Sequence, residues 1–339
     1  MNYIVKDENA IYYECAYSSD NALFLKLGSE AFFITDSRYQ VEAEACVIGA
    51  KVIIAKDLYA EANKHIRKSK VKKVHYDPKE WTLFSFEKLK ENSKAKFKES
   101  PDFSHEKRII KSSDELLLLR KAAELGANAF DDFATLIQKH GFKQDEHMLT
   151  FMAQAMLSKK GKYDLSFDPI VAVNSNAAKP HALPTNKVLK KHDLLLVDAG
   201  LKYQRYCSDR TRTVSASKCF DFSTEQKFKK KKIQKAYDLV LKAHDNAIEK
   251  ARSGMKAKKI DALTRDIITE GGFGEYYVHS TGHGVGLDIH EMPYISSKSK
   301  MKVEDGMVYT IEPGIYIPGE FGIRIEDMVV MKNGRAEVL

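Results

Sequence analysis

The chain has 339 residues, 43% of them hydrophobic and 30% charged, which excludes a disordered or fibrous protein and leaves room for two domains with a sizeable core. Lys plus Arg outnumber Asp plus Glu by 55 to 47, a net charge of +8, but the basic excess is spread along the chain, so no nucleic-acid partner is expected. No run approaches the roughly 18 apolar residues that span a bilayer, and the start M-N-Y-I-V-K lacks the parts of a signal peptide, so a cytoplasmic enzyme without a membrane partner is expected.

From the N-terminus to about residue 105, short apolar runs (Ala22 to Leu27, Ala31 to Thr35, Val52 to Ala55) alternate with helical patterns around Tyr39 to Ala45 and Leu58 to Ile66. That is the rhythm of a small α/β domain. Asn92 to His105 is polar, rich in lysine and contains Pro101, and it reads as a linker between domains 1–105 and 106–339. Cys15, Cys46, Cys207 and Cys219 form no C-x-x-C pair and read as reduced thiols.

Beyond the linker, Ser112 and Glu115 stand in the S-x-x-E relation of a capping box ahead of Leu116, Leu119, Ala122, Ala123, Ala127, Phe130 and Leu136, which predicts a long amphipathic helix. A second helix is predicted over Glu225 to Arg252, with Ile233, Ala236, Val240, Ala243 and Ala247 on one face, and a third over Lys259 to Glu270. The basic run Lys227 to Lys232 reads as the solvated start of the second helix, since no aromatic residues interleave with it as a base-stacking platform requires.

The chemistry lies on strands between and after these helices. Leu194 to Val197 is a continuously apolar run ending in Asp198-Ala199-Gly200, so a buried strand delivers a carboxylate to its end. Tyr206 to Val214 alternates and places Cys207, Asp209, Thr211 and Thr213 on one face of a strand. Asp198 and Asp209 then face one cavity across a hairpin, where two anions repel unless cations lie between them. Glu312 ends the apolar strand Met307 to Ile311, and Arg324 and Glu326 share one face of the strand Gly322 to Met331.

His283 sits between glycines that permit close backbone approach, with His279 and His290 on either side. A dinucleotide-binding glycine loop is the obvious false match for Gly282 to Gly286, but the third glycine and the following helix are missing. His181, taken alone, is a loop histidine. Four carboxylates and one imidazole make an oxygen-rich donor set that suits Mn²⁺, Co²⁺ or Fe²⁺ better than a structural zinc.

These segments resemble the pita-bread metallopeptidases, in the Xaa-Pro aminopeptidase and prolidase branch. The likeness runs through N-A-A-K-P-H (176–181), D-A-G (198–200), S-D-R-T-R-T (208–213), H-S-T-G-H-G-V-G-L-D-I-H-E-M-P (279–293), I-E-P-G-I-Y-I-P-G (311–319) and G-I-R-I-E-D (322–327). Ser18 to Leu23 and Thr35 to Tyr39 resemble the creatinase-type N-terminal domain of the same branch.

The resemblance implies an α+β protein: a C-terminal pita-bread catalytic domain preceded by a smaller α/β domain. It implies that Asp198, Asp209, His283, Glu312 and Glu326 bind two divalent metal ions, Mn²⁺ first, with Co²⁺, Fe²⁺ or Zn²⁺ as alternatives. A water or hydroxide held between the ions would attack the scissile carbonyl of an Xaa-Pro bond. Glu312 would move the proton to the leaving nitrogen, His181 and His290 would hydrogen-bond substrate or intermediate, and His279 with Arg324 would shape the pocket around proline.

A homodimer and a proline-containing peptide substrate belong to the same expectation. Arg205 and Ser280 depart from the family pattern at positions where glycine is usual. Strict Xaa-Pro dipeptidase activity is the first alternative. A methionine aminopeptidase would not need the N-terminal domain, a creatinase-like amidinohydrolase works without metal, and a non-catalytic binding module of this fold typically lacks some of the ligands.

Overall fold

The computed structural model describes residues 1–91, 93–217 and 219–339, which divide into two compact units, 1–108 and 109–339. Unit 1 contains β1 (Tyr3–Val5), α1 (Glu8–Cys15), β2 (Ala22–Leu27), β3 (Glu30–Thr35), α2 (Gln40–Cys46), β4 (Lys51–Ile54), α3 (Leu58–Ser69), β5 (Lys73–Tyr76), α4 (Leu83–Lys90), β6 (Lys96–Glu99) and α5 (Phe103–Arg108). Its strands form one mixed sheet in the order β4-β3-β2-β1-β5-β6. Side chains alternate between its faces: Ile4, Leu23, Leu25, Phe32 and Ile34 pack with α3 and α4 on one, whereas Val5, Phe24 and Phe33 pack with α1, α2 and α5 on the other. With helices on both faces, the strands read as continuous apolar runs.

The expected linker is largely part of this unit. Asn92 lies outside the described residues, but Lys96–Glu99 pairs in parallel with β5, and Phe103–Arg108 is helical. Only Phe97 of β6 packs against the core, so an edge strand carrying lysines looks like a polar spacer in sequence.

Unit 2 opens with α6 (Ser113–Leu136). Its capping box is formed as expected, Ser112 Oγ accepting the Glu115 N–H (3.3 Å) and Glu115 Oε2 accepting the Ser112 N–H (2.8 Å). There follow α7 (Glu146–Leu157), β7 (Ile170–Val173), β8 (Leu194–Ala199), β9 (Lys202–Tyr203), β10 (Tyr206–Cys207), β11 (Arg210–Ser215), α8 (Lys231–Lys250) and α9 (Ala257–Glu270). The chain ends in β12 (Gly282–Gly284), β13 (Glu291–Ile295), β14 (Val308–Ile311), β15 (Gly314–Ile317), β16 (Phe321–Arg324), β17 (Asp327–Lys332) and β18 (Arg335–Val338).

Strand β8 is central to a three-stranded sheet, β11-β8-β7. Leu195, Val197 and Ala199 pack on α6 and α7, while Leu194 and Leu196 pack on the layer that contains α8 and α9. The buried face of α8 carries all five residues expected there, but Glu225 to Lys230 stays outside the helix. Gln226 explains this: its side chain bonds the backbone of Ser215, Asp221 and Ser223, tying the segment to a loop. Lysines crowded at a helix N-terminus also oppose the helix dipole.

Two strands expected to be continuous change partners midway. Tyr206–Cys207 pairs with β9 and Arg210–Ser215 with β8, the switch falling at Ser208-Asp209. Likewise β16 pairs with β15 and β17 with β14 and β18, the switch falling at Ile325-Glu326. Each switch releases one carboxylate from a regular ladder.

Candidate metal centre

Asp198 stands opposite Thr211 of β11 and Ile170 of β7, and Asp209 immediately precedes β11. The approach of these segments requires Gly200, where a Cβ would lie 1.8 Å from the Ser208 carbonyl oxygen. Glu326 is drawn beside them because its N–H bonds the Thr211 carbonyl (3.1 Å), and Thr211 Oγ1 donates to its Oε2 (2.5 Å). The glycines around His283 admit neighbouring backbone, since a Cβ at Gly282 would meet the Thr310 oxygen at 1.9 Å and one at Gly284 the Met292 oxygen at 2.2 Å.

Ligand atoms of Asp209, His283 and Glu326 all lie within 4.8 Å of one another. His283 Nε2 is 3.6 Å from Asp209 Oδ2 and 3.5 Å from Glu312 Oε1. Its Nδ1 lies 3.1 Å from the Gly284 carbonyl oxygen, which can only accept, so the proton is on Nδ1 and the Nε2 lone pair faces the carboxylates. Burial lowers the pKa of His283 and favours this neutral form.

Asp198, Asp209, His283, Glu312 and Glu326 line one cavity of about 710 Å³ together with His181, His279, His290 and Arg324. Burial, then the charges of Glu326, Asp198 and Glu312, pushes the Asp209 carboxyl well above its ordinary range; Glu326 is raised by burial and by Glu312 and Asp198, and Glu312 is raised mainly by burial. Asp198 Oδ1 is buried with no hydrogen-bond partner among the described residues. Crowded buried carboxylates, an orphaned carboxylate oxygen and an imidazole presenting its lone pair fit divalent cations, which would satisfy the acceptors and offset the repulsion.

The other residues singled out in the sequence stand around these five. His290 lies edge-on to His283 with ring centroids 4.3 Å apart, and His181 and His290 are both solvent-exposed on the cavity. His279 Nδ1 is 2.7 Å from the Ser280 carbonyl oxygen, so Nε2 accepts from Tyr316 Oη at 2.9 Å. Tyr316 Oη in turn accepts from Arg324 Nη1 at 2.6 Å, and Arg324 Nη2 donates to Asp198 Oδ2 at 2.5 Å. His279 therefore has both ring nitrogens engaged and contributes to the cavity as a wall.

Tyr316 and Thr211 escaped assignment from sequence, although both lie in the quoted motifs. So did a cluster behind Glu326, where Arg212 Nη1 donates to the Glu326 carbonyl (2.6 Å) and Nη2 to Asp327 Oδ1 (2.7 Å) and Oδ2 (2.9 Å). His244 Nε2 of α8 lies 3.3 Å from Asp327 Oδ2. Arg205 also has an explanation: Gln204 and Arg205 form the two-residue turn between β9 and β10 with φ of 47° and 71°, a conformation that glycine adopts with less strain.

A cavity walled by four carboxylates and a histidine, delivered by strand ends, defines a metal-dependent hydrolase. The chain belongs to metallopeptidase family M24, whose model matches residues 118–333, and it carries a creatinase/prolidase N-terminal domain over residues 2–110. The α+β architecture is accordingly a pita-bread domain preceded by a smaller creatinase-like domain, as the motifs implied.

An Xaa-Pro dipeptidase of Pyrococcus furiosus is 37% identical over 254 residues, covering 75% of this chain and 69% of its own length. An Xaa-Pro dipeptidase structure from Bacillus anthracis superposes with a TM-score of 0.91 at 32% identity, covering 99% of this chain and 92% of that one. The X-Pro aminopeptidase structure from Thermotoga maritima gives 0.88 at 29% identity, covering 99% and 95%. Among the described residues, no helix is long and apolar enough to cross a membrane.

Proposed function

We propose that the protein is an Xaa-Pro aminopeptidase that removes the N-terminal residue from peptides with proline in second position. The convergence of Asp198, Asp209, His283, Glu312 and Glu326 on one cavity carries this proposal. These five residues hold two divalent ions, with Mn²⁺ favoured by the oxygen-rich donors. When bound, the ions polarise the scissile carbonyl and lower the pKa of the attacking water.

The side chains do the remainder. Glu312, set against the Nε2 face of His283, moves a proton to the leaving imino nitrogen. His181 and His290 reach the cavity from its exposed rim and hydrogen-bond the substrate or the tetrahedral intermediate. Phe167, Ile170, Leu183 and Tyr294 offer an apolar surface for the proline ring, and His279 and Arg324, bridged from behind by Tyr316 Oη, form a bonded wall beside it. A dedicated pocket is needed because the imide nitrogen of proline has no N–H for recognition.

Arg324 also favours peptides longer than two residues. Among the described residues lining the cavity it is the one Lys or Arg, and its nitrogens are committed to Asp198, Tyr316, Thr211 (3.0 Å) and the Pro180 carbonyl (3.3 Å). A dipeptide buries a free carboxylate next to the scissile bond and needs a cation there, whereas a longer peptide presents a neutral amide. Strict dipeptidase activity is the second reading, favoured by the likeness to proteins of that name. A homodimer in the cytoplasm completes the proposal.

Hydrolysis of Ala-Pro, Ala-Pro-amide and Ala-Pro-Ala with Mn²⁺, against a chelated control, tests it. Metal-dependent cleavage of the amide and tripeptide is expected, with Ala-Pro slower. Cleavage of Ala-Pro alone makes the enzyme a dipeptidase, and no cleavage of any of the three refutes both readings.

A further inference from the structure

Glu146, in the first turn of α7, is fully buried, and four donors converge on its carboxylate. Oε1 accepts the Val173 N–H at 2.7 Å, and Oε2 accepts Asn176 Nδ2 at 2.8 Å, the Thr185 N–H at 2.8 Å and Thr185 Oγ1 at 2.6 Å. The carboxylate is not needed as a helix cap, because Asp145 accepts the Met148 N–H at 2.9 Å in that role.

What Glu146 holds is the segment between Val173 and Thr185. Its later part, Pro180 to Pro184, has neither helix nor strand, yet it forms a continuous stretch of the cavity wall and carries His181. Such a wall has no ladder of its own to fix it, so its position depends on what binds its ends. Glu146 binds both: Val173 and Asn176 lie before the stretch and Thr185 after it. Asn176 adds a bond from the same amide nitrogen to the Leu183 carbonyl at 2.9 Å. The Pro180 carbonyl meets Arg324 Nη1 at 3.3 Å, so displacement of the segment would reach the far side of the site as well. Helix α7 is itself anchored to the cavity, which Thr150 and Gln154 line one and two turns beyond Glu146.

We propose that Glu146 is a positioning residue that clamps both ends of this segment and thereby sets His181 at the reaction centre, a role that rests on the Xaa-Pro peptidase reading only in what His181 does there. Glutamine is not a neutral replacement, since its amide NH₂ must face donors on whichever side it lies, the Val173 N–H on one and Asn176 Nδ2 with the Thr185 N–H on the other.

The test is kcat and KM for Ala-Pro-Ala with Mn²⁺ in Glu146→Gln, His181→Ala and the double variant, together with metal content and amide hydrogen exchange of residues 173–185. Glu146→Gln is expected to lower kcat/KM about 100-fold, the scale of a small misplacement of a reacting group. Metal content should hold, and the Val173 and Thr185 amides should lose protection. The double variant should fall no further than His181→Ala alone.

Losses that multiply in the double variant, or wild-type rates in Glu146→Gln, overturn the proposal. Should Glu146→Gln fail to fold, Thr185→Val removes one of the four donors and is expected to give a smaller loss that also vanishes beside His181→Ala; a loss independent of His181 overturns the proposal there too. If the wild-type protein cleaves no Xaa-Pro peptide, the peptidase reading fails separately, and unchanged exchange at Val173 and Thr185 in Glu146→Gln overturns the clamp.

Discussion

Replacing Asp327 by Asn probes how the candidate metal centre is supported from behind. Asp327 takes two hydrogen bonds from Arg212 Nη2, and the side chains of Arg212 and Asp327 are only 5% and 17% exposed. Asparagine keeps the shape but removes the charge and turns an NH₂ toward either the guanidinium or His244. A buried guanidinium then lacks its counter-ion, a change that costs about 3–5 kcal/mol. For a unit the size of residues 109–339, that corresponds to a fall in melting temperature of about 6–20 °C.

Because Arg212 also holds the Glu326 carbonyl at 2.6 Å, a loosened guanidinium should weaken metal binding even though no proposed ligand has changed. Thermal unfolding followed by circular dichroism on metal-free protein measures the first effect, and metal titration on folded protein the second. A drop below about 2 °C would show that water or a rearranged partner already satisfies Arg212, and the reasoning would fail.

Asp209→Asn or Glu326→Gln should abolish turnover and lower metal occupancy while leaving the circular dichroism spectrum nearly unchanged; full activity in either removes that residue from the ligand set. His290→Ala should reduce kcat by about 10²- to 10⁴-fold, as for a lost proton-transfer or hydrogen-bonding group, and leave bound metal intact. An emptied site would instead make His290 a ligand. In unit 1, burial pushes the Glu80 carboxyl up to about 7, against the pull of the Lys6 and Asp7 N–H groups at 3.1 and 3.3 Å. A raised folded-state value means that its stabilising contribution is complete below the unfolded value of 4.5 and is lost as the pH rises through about 7. Glu80→Gln should flatten that decline, read by urea unfolding with the fluorescence of Trp81, the chain's one tryptophan; an unchanged pH slope counts against it.

Much of the scaffold was legible because local rules and tertiary packing agree. The Ser112 capping box, the apolar stripe of α8 and the apolar runs of β2, β3 and β8 follow from periodicity and side-chain chemistry within a few neighbouring residues. The order of N-A-A-K-P-H, D-A-G, S-D-R, the histidine stretch and the two glutamate motifs was likewise enough to single out nine residues that line one cavity.

Other features were settled only by contacts between distant parts of the chain. Lys96–Glu99 becomes a strand because β5 offers it an edge, a fact absent from its own polar composition. The strands expected over 206–214 and 322–331 break because Ser208 and Glu326 are held by Leu201 and Thr211, which pull each chain from one partner to another. Helix α8 begins late because Gln226 is tied to loop backbone before it. Tyr316 and Glu146 drew no attention in sequence, since a tyrosine and a first-turn glutamate are ordinary there; their partners Arg324, His279, Val173 and Thr185 lie 8 to 39 residues away. Sequence by itself determined which groups this protein has for metal chemistry and which stretches form strands and helices, because those depend on residue type and short spacing. The tertiary structure alone decided how the groups are aimed, because a hydrogen bond or a strand switch exists only once both partners have been brought within about 3 Å.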